Sequence, residues 1–156
     1  MSPSTPPSSR LDPMALALEE ARAAVGRGEV PVGAVILHNG NLIAAAGNRT
    51  LELKDPTAHA EMLVIRAASA HLGSERLTAC DLYVSLEPCA MCATAISFAR
   101  LRRLYFGAPD PKMGGVEHGP RIFEQPTCHH RPEVYGGIRE GEAAMLLRSF
   151  FESRRA

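Results

Sequence analysis

The stretch "VPVGAVILHNGNLIAAAGN", residues 30–48, constrains the fold more than any other. It is a β-branched apolar run, then Asn39-Gly40, then a second apolar run. Asn-Gly is the strongest local hairpin signal because both residues tolerate positive φ. Two antiparallel strands are predicted there, which argues against an all-parallel, flavodoxin-like sheet. Helical and strand patterns then alternate. "DPTAHAEMLVIRAASAHLG" predicts a helix opened by Asp55-Pro56 and stopped at Gly73. "DLYVSL" predicts a short buried strand, "PCAMCATAISFAR" a helix with Pro88 as its first residue, and "RRLYFG" another strand. Ahead of the hairpin, "LDPMALALEEARAAVGRG" predicts a helix capped by Asp12 with Pro13 at its first position. Residues 108–137, rich in Gly, Pro and His, predict a long functional loop. "EGEAAMLLRSFFESRR" predicts a closing helix with Glu early and Arg late, matching its dipole. Strands joined through helices run parallel, so the order implies a three-layer α/β/α sandwich with a mixed sheet.

A chain of 156 residues fits one domain with a sizeable core. Residues 1–10, "MSPSTPPSSR", carry the Pro and Ser bias of a disordered tail, which leaves residues 11–156 as the domain. Four cysteines at irregular spacing, with no apolar leader, argue against a secreted disulfide scaffold and for a cytoplasmic protein. No apolar run approaches the roughly 20 residues that span a bilayer, so no membrane association is expected. Lys plus Arg equals Asp plus Glu at 17 each, so net charge gives no attraction to nucleic acid.

"LEPCAMC", residues 86–92, places Cys89 and Cys92 at i and i+3, on one helix face. The pair alone fits thiol exchange, metal binding or core packing. "HAE", with His59 and Glu61, opens the preceding predicted helix and decides between them. Zinc accepts two thiolates and one imidazole nitrogen and keeps a fourth position open in catalytic sites. A centre with two thiolates has little appetite for a carboxylate, which casts Glu61 as a proton carrier. His59 and Glu61, at i and i+2, converge only if the metal sits over the open helix end. Elsewhere, Cys80 reads as a core thiol and His71 as a helix-end residue. Cys128, His129 and His130 are adjacent and cannot easily point at one ion.

H-x-E followed by P-C-x-x-C is recognised as the signature of zinc nucleobase deaminases. With "EVPVGAV", "NRT", "DPTAHAE", "LYVSLEPCAMC", "FGAPDPKMGG" and "SFFESRR", nearly the whole chain after the tail resembles the bacterial tRNA adenosine deaminases of the cytidine deaminase superfamily. The resemblance implies a homodimer, one Zn2+ per subunit, and conversion of the wobble adenosine in a tRNA anticodon loop to inosine. It matches His59, Cys89 and Cys92 to the zinc ligands and Glu61 to the proton shuttle. It matches Asn48 to a base-binding residue, Val30 and Pro31 to an apolar pocket wall, and Asp110 to a position near the neighbouring nucleotide. Pro109 and Pro111 flank Asp110, a departure from the family pattern.

A tRNA substrate calls for basic residues along the phosphate path, and Arg100, Arg102, Arg103, Arg148, Arg154 and Arg155 are the candidates for such a stripe. Phe150 and Phe151 read as core or as supports for the anticodon loop. Two other readings share these residues. One is a deaminase of a free purine base or nucleoside, of guanine or adenine type, which needs no basic surface. The other is a nucleic-acid-binding module with a purely structural zinc.

Overall fold

In the computed structural model, which describes residues 11–155, one five-stranded sheet lies between two helical layers. The expected tail falls outside the described residues. Helix α1 spans Pro13–Gly26, with Asp12 as its N-cap accepting from the Ala15 amide. Strands β1 (Gly33–His38) and β2 (Asn41–Gly47) form the antiparallel hairpin. Its turn residues Asn39 and Gly40 both take positive φ, at 50° and 81°, which matches the right-handed strand twist. Then follow α2 (Ala60–Leu72), β3 (Cys80–Leu86), α3 (Ala90–Ala99), β4 (Arg103–Ala108), β5 (Glu133–Tyr135) and α4 (Glu140–Arg155).

The strand order is β2-β1-β3-β4-β5. β1 pairs antiparallel with both β2 and β3, while β3, β4 and β5 run parallel, so the sheet is mixed as expected. α2 and α3 cover one face, where Val64, Ala68, Leu82, Ile96 and Phe106 form the main core. α1 and α4 cover the other, around Met14, Leu18 and Ala143. Cys80 is fully buried, as a core thiol should be.

Three details differ from expectation. Asp55 and Pro56 do not open α2, because the Asp55 carboxylate accepts from the Thr57 amide and hydroxyl at 2.8 and 2.7 Å and closes a turn instead. Helix α2 begins at Ala60, which makes His59 its N-cap. Pro88 likewise precedes α3, and Cys89 is the N-cap. The 108–137 segment contains strand β5 and a 3₁₀ turn at Ile122–Glu124 within its irregular run. No helix among the described residues is long and apolar enough to cross a membrane.

Candidate active site

α2 follows the end of β2 and α3 the end of β3, and both strand ends flank the start of β1, so the two N-caps meet. The His59 Nδ1 atom lies 3.6 Å from Cys89 Sγ and 3.5 Å from Cys92 Sγ. Bonds of about 2.3 Å to sulfur and about 2.05 Å to nitrogen, at a tetrahedral angle, separate the two donor atoms by about 3.6 Å. The donor set therefore fits zinc in both chemistry and spacing. It is the one group of three or more potential metal ligands among the described residues. The helix beginnings resolve the i, i+2 difficulty: as a cap, His59 projects over the open end of α2, and Glu61 lies inside its first turn.

Glu61 is buried at 3% exposure, and its Oε1 has no hydrogen-bond partner. Burial, helped by the negative charge on Cys89, pushes its carboxyl up to about 7. The Cys92 thiol hydrogen-bonds Cys89 and holds that sulfur down at about 4 against the effect of burial. Cys92 is pushed strongly up by the same bond and by burial. The hydrogen bond with Cys89 raises the His59 imidazole. A dication entering the donor set thus displaces protons from Cys92 and His59, the usual coupling of metal binding to ionisation.

A cavity of about 220 Å³ opens beside these groups, lined by Val30, Val32, Asn48, His59, Glu61, Leu86, Glu87, Cys89, Asp110 and Met113. Asn48 is buried, and its Oδ1 accepts from the Ala60 amide at 2.8 Å, capping α2 from outside that helix. Of the residues matched to substrate contacts, Val30, Asn48 and Asp110 line the cavity and Pro31 does not. Pro31 is buried in the short span leading into β1, and Val32 provides the wall instead. A wider cavity of about 650 Å³ continues outward, sharing Val30, Leu86, Asp110 and Met113 and adding Pro109, Lys112, Leu147 and Phe151.

The expected arginine stripe is divided. Arg102 and Arg103 stand at the start of β4, paired with Asp81 and Glu133, whereas the cavity lies at the other end of the parallel strands. Five residues of strand separate the two ends by about 17 Å. Arg100, on the α3 C-cap, hydrogen-bonds the His129 ring and also lies away from the site. Arg154 is well placed: it covers the Phe150 ring, donates to the Gly28 carbonyl, and lines a groove with Val30 and Phe151. Arg148 is exposed on α4, and the side chain of Arg155 lies outside the described residues. Cys128, His129 and His130 turn to separate partners, Ser97, Arg100 and the Leu101 carbonyl.

Sequence reasoning missed two buried carboxylates. Glu29 accepts from the Leu51 and Glu52 amides and the Thr50 hydroxyl, and so fixes the turn after Asn48. Glu87 accepts from the amides of Asp110, Val116, Glu117 and His118 and pairs with the His118 ring. The only signal was position: Glu29 precedes the pocket residue Val30, and Glu87 stands two residues before a metal-ligand candidate.

A sandwich that brings an imidazole and two sulfurs within reach of one ion, beside a buried carboxyl with one free oxygen, has the make-up of the metal-dependent hydrolytic class. Residues 7–108 match the cytidine and deoxycytidylate deaminase zinc-binding region, and the chain belongs to that family. It is similar to the tRNA-specific adenosine deaminase of Agrobacterium fabrum (strain C58), with 63% identity over 142 residues that cover 91% of this chain and 93% of that protein. A structure solved in a study of A-to-I editing by tRNA:A34 deaminases at the wobble position of transfer RNA aligns with a TM-score of 0.86. It is 63% identical, over 86% of this chain and 98% of that one. A guanine deaminase from Nitrosomonas europaea aligns with a TM-score of 0.76 at 27% identity, over 94% of this chain and 85% of that one.

Proposed function

We propose that this chain is a zinc-dependent hydrolase that deaminates adenosine to inosine at the wobble position of tRNA, with residues 11–156 as the deaminase unit. The observation that carries the reading is the convergence of His59, Cys89 and Cys92 beside the unpartnered oxygen of Glu61. Identity of 63% to a tRNA-specific adenosine deaminase supplies the substrate class. His59 Nδ1 and the Cys89 and Cys92 sulfurs would hold the zinc, which would supply Lewis acidity and an activated water at neutral pH.

Glu61 takes a proton at Oε1 from the attacking water and returns it to the ring nitrogen beside the attacked carbon; it then passes the remaining hydroxyl proton to the exocyclic amine, so the C–N bond breaks and ammonia leaves as the C=O bond forms. A buried carboxyl with one oxygen free of other partners can both accept and return a proton. Asn48 reads the base. Its carbonyl oxygen is occupied by the Ala60 amide, which leaves its NH₂ group to donate to an acceptor on the ring. Val30 packs against the base, and Asp110 borders the passage to the wider cavity, where the flanking nucleotides of the anticodon loop lie. One zinc per subunit, a homodimer and a cytoplasmic location complete the reading.

The guanine deaminase likeness favours a second reading, deamination of a free purine. Zinc-loaded protein incubated with an anticodon stem-loop, guanine, adenine and adenosine separates the two by ammonia and inosine release. Turnover of the stem-loop is expected; release from the free purines alone overturns the tRNA reading.

A further inference from the structure

Asp110 and Met113 line both the inner and the outer cavity, and the loop that carries them is held by one buried side chain. Glu87, 2% exposed, takes the Asp110 amide on Oε1 at 2.9 Å and the Val116, Glu117 and His118 amides on Oε2 at 3.2, 2.9 and 3.1 Å. The His118 ring nitrogen Nδ1 adds a contact to Oε1 at 2.8 Å. Converging amides require an acceptor that donates nothing, and a carboxylate is the side chain that meets this. Glutamine, of the same shape, would turn an NH₂ group onto at least one of these donors.

The contact is also close. A Cβ on Gly114 would stand 2.4 Å from Glu87 Oε2, and one on Gly115 would stand 2.6 Å from the Ala90 amide nitrogen. The Gly115 amide donates to the Pro88 carbonyl, and Gly114 pairs with Cys89. The loop is therefore seated against the backbone that presents Cys89.

We propose that Glu87 is a positioning residue that holds the 110–118 loop in register with Cys89, and thereby sets how the enzyme accepts the nucleotide beside the target adenosine. This rests on the tRNA reading for its substrate and on the hydrogen-bond geometry for its mechanics. Asp110 and Met113 line both cavities, so a displaced loop changes the passage for a polymer, while His59 and Glu61 are carried by α2 and Cys92 by α3.

The test compares wild type, Glu87→Gln and Gly114→Ala, all zinc-loaded, on four stem-loops that differ in the nucleotide flanking the adenosine. Both variants should raise KM about tenfold or more while kcat changes by less than about threefold, and both should flatten the preference among flanking nucleotides. Loss of folding would instead lower zinc content and the active fraction. An unchanged KM and preference in folded Glu87→Gln overturns the assignment. Amide hydrogen exchange supplies a measure independent of substrate: protection at Asp110, Val116, Glu117 and His118 should fall in Glu87→Gln while β1 and β3 keep theirs. Unchanged protection also overturns it. A wild type inactive on every stem-loop removes the tRNA reading alone, since the exchange result still decides the role of Glu87 as the loop's anchor.

Discussion

Glu61 and Glu87 line the same cavity and are almost equally hidden, at 3% and 2% exposure, yet their carboxyls are pushed in opposite directions. Around Glu87, burial is outweighed by the Asp110 amide, the His118 ring and further amides, and the group stays below the ordinary carboxylate range. At Glu61 burial prevails, Oε1 has no partner, and the carboxyl rises to about 7. Burial alone does not determine the charge of a carboxyl; the supply of N–H donors does. A satisfied carboxylate is an anchor. An unsatisfied one is a group prepared to exchange a proton.

The largest expected effect comes from the unsatisfied member. Glu61→Gln keeps the shape of the side chain but cannot carry the proton, so kcat should fall at least about a thousandfold while zinc content and melting temperature hold. Metal analysis beside single-turnover assays checks this, and near-normal turnover would end the contrast between the two glutamates.

Cys89→Ser comes next. With Cys89 as one of the three proposed ligands, the change should strip most of the zinc and lower the melting temperature, and chelation of the wild type should move its melting temperature the same way. Full metal occupancy in the variant would show that the ligand set is misassigned.

Glu29 tests whether a second satisfied carboxylate, outside that cavity, follows the same rule. Its carboxyl is held below the ordinary value by the Glu52 and Leu51 amides and the Thr50 hydroxyl, which together outweigh burial. The unfolded chain then binds more protons in acid, so the stability from this group is present above the ordinary pKa of 4.5 and is lost as pH falls through the lower folded value. Glu29→Gln should cost about 1.5–3 kcal/mol at pH 7 in denaturant melts, and the gap from wild type should close in acid. A gap independent of pH would mean that the charge contributes nothing.

The smallest effect should come from Arg102→Ala. The Arg102 guanidinium pairs with Asp81 at the surface, where solvent screens the charge, so the melting temperature should hardly move. Stem-loop binding should not change, because this arginine stands at the wrong end of β4. Arg154→Ala, measured alongside, should weaken binding and reduce its salt dependence.

Much of this chemistry was legible in the residues. His59, Glu61, Cys89 and Cys92 declare themselves because ligand type and the i, i+3 spacing are local properties. The Asn39-Gly40 turn is local in the same way, and it placed the hairpin correctly. Helix starts were less legible, since Asp55 and Pro56 suit a turn as well as a cap, and only the Thr57 contacts decide between them. Strand β5 was not legible because three residues in a Gly- and Pro-rich stretch acquire strand geometry only by pairing with β4. Glu29 and Glu87 were missed because their donors arrive from segments 21 to 31 positions away. The arginines could not be sorted before the strand directions were known.

The hydrogen bond from the Ala60 amide to Asn48 ties the end of the first hairpin to the start of α2, two segments twelve positions apart. With the roles proposed above for Asn48 and His59, one contact would join the part that reads the base to the part that holds the metal, and Asn48→Ala should then disturb metal affinity as well as substrate binding.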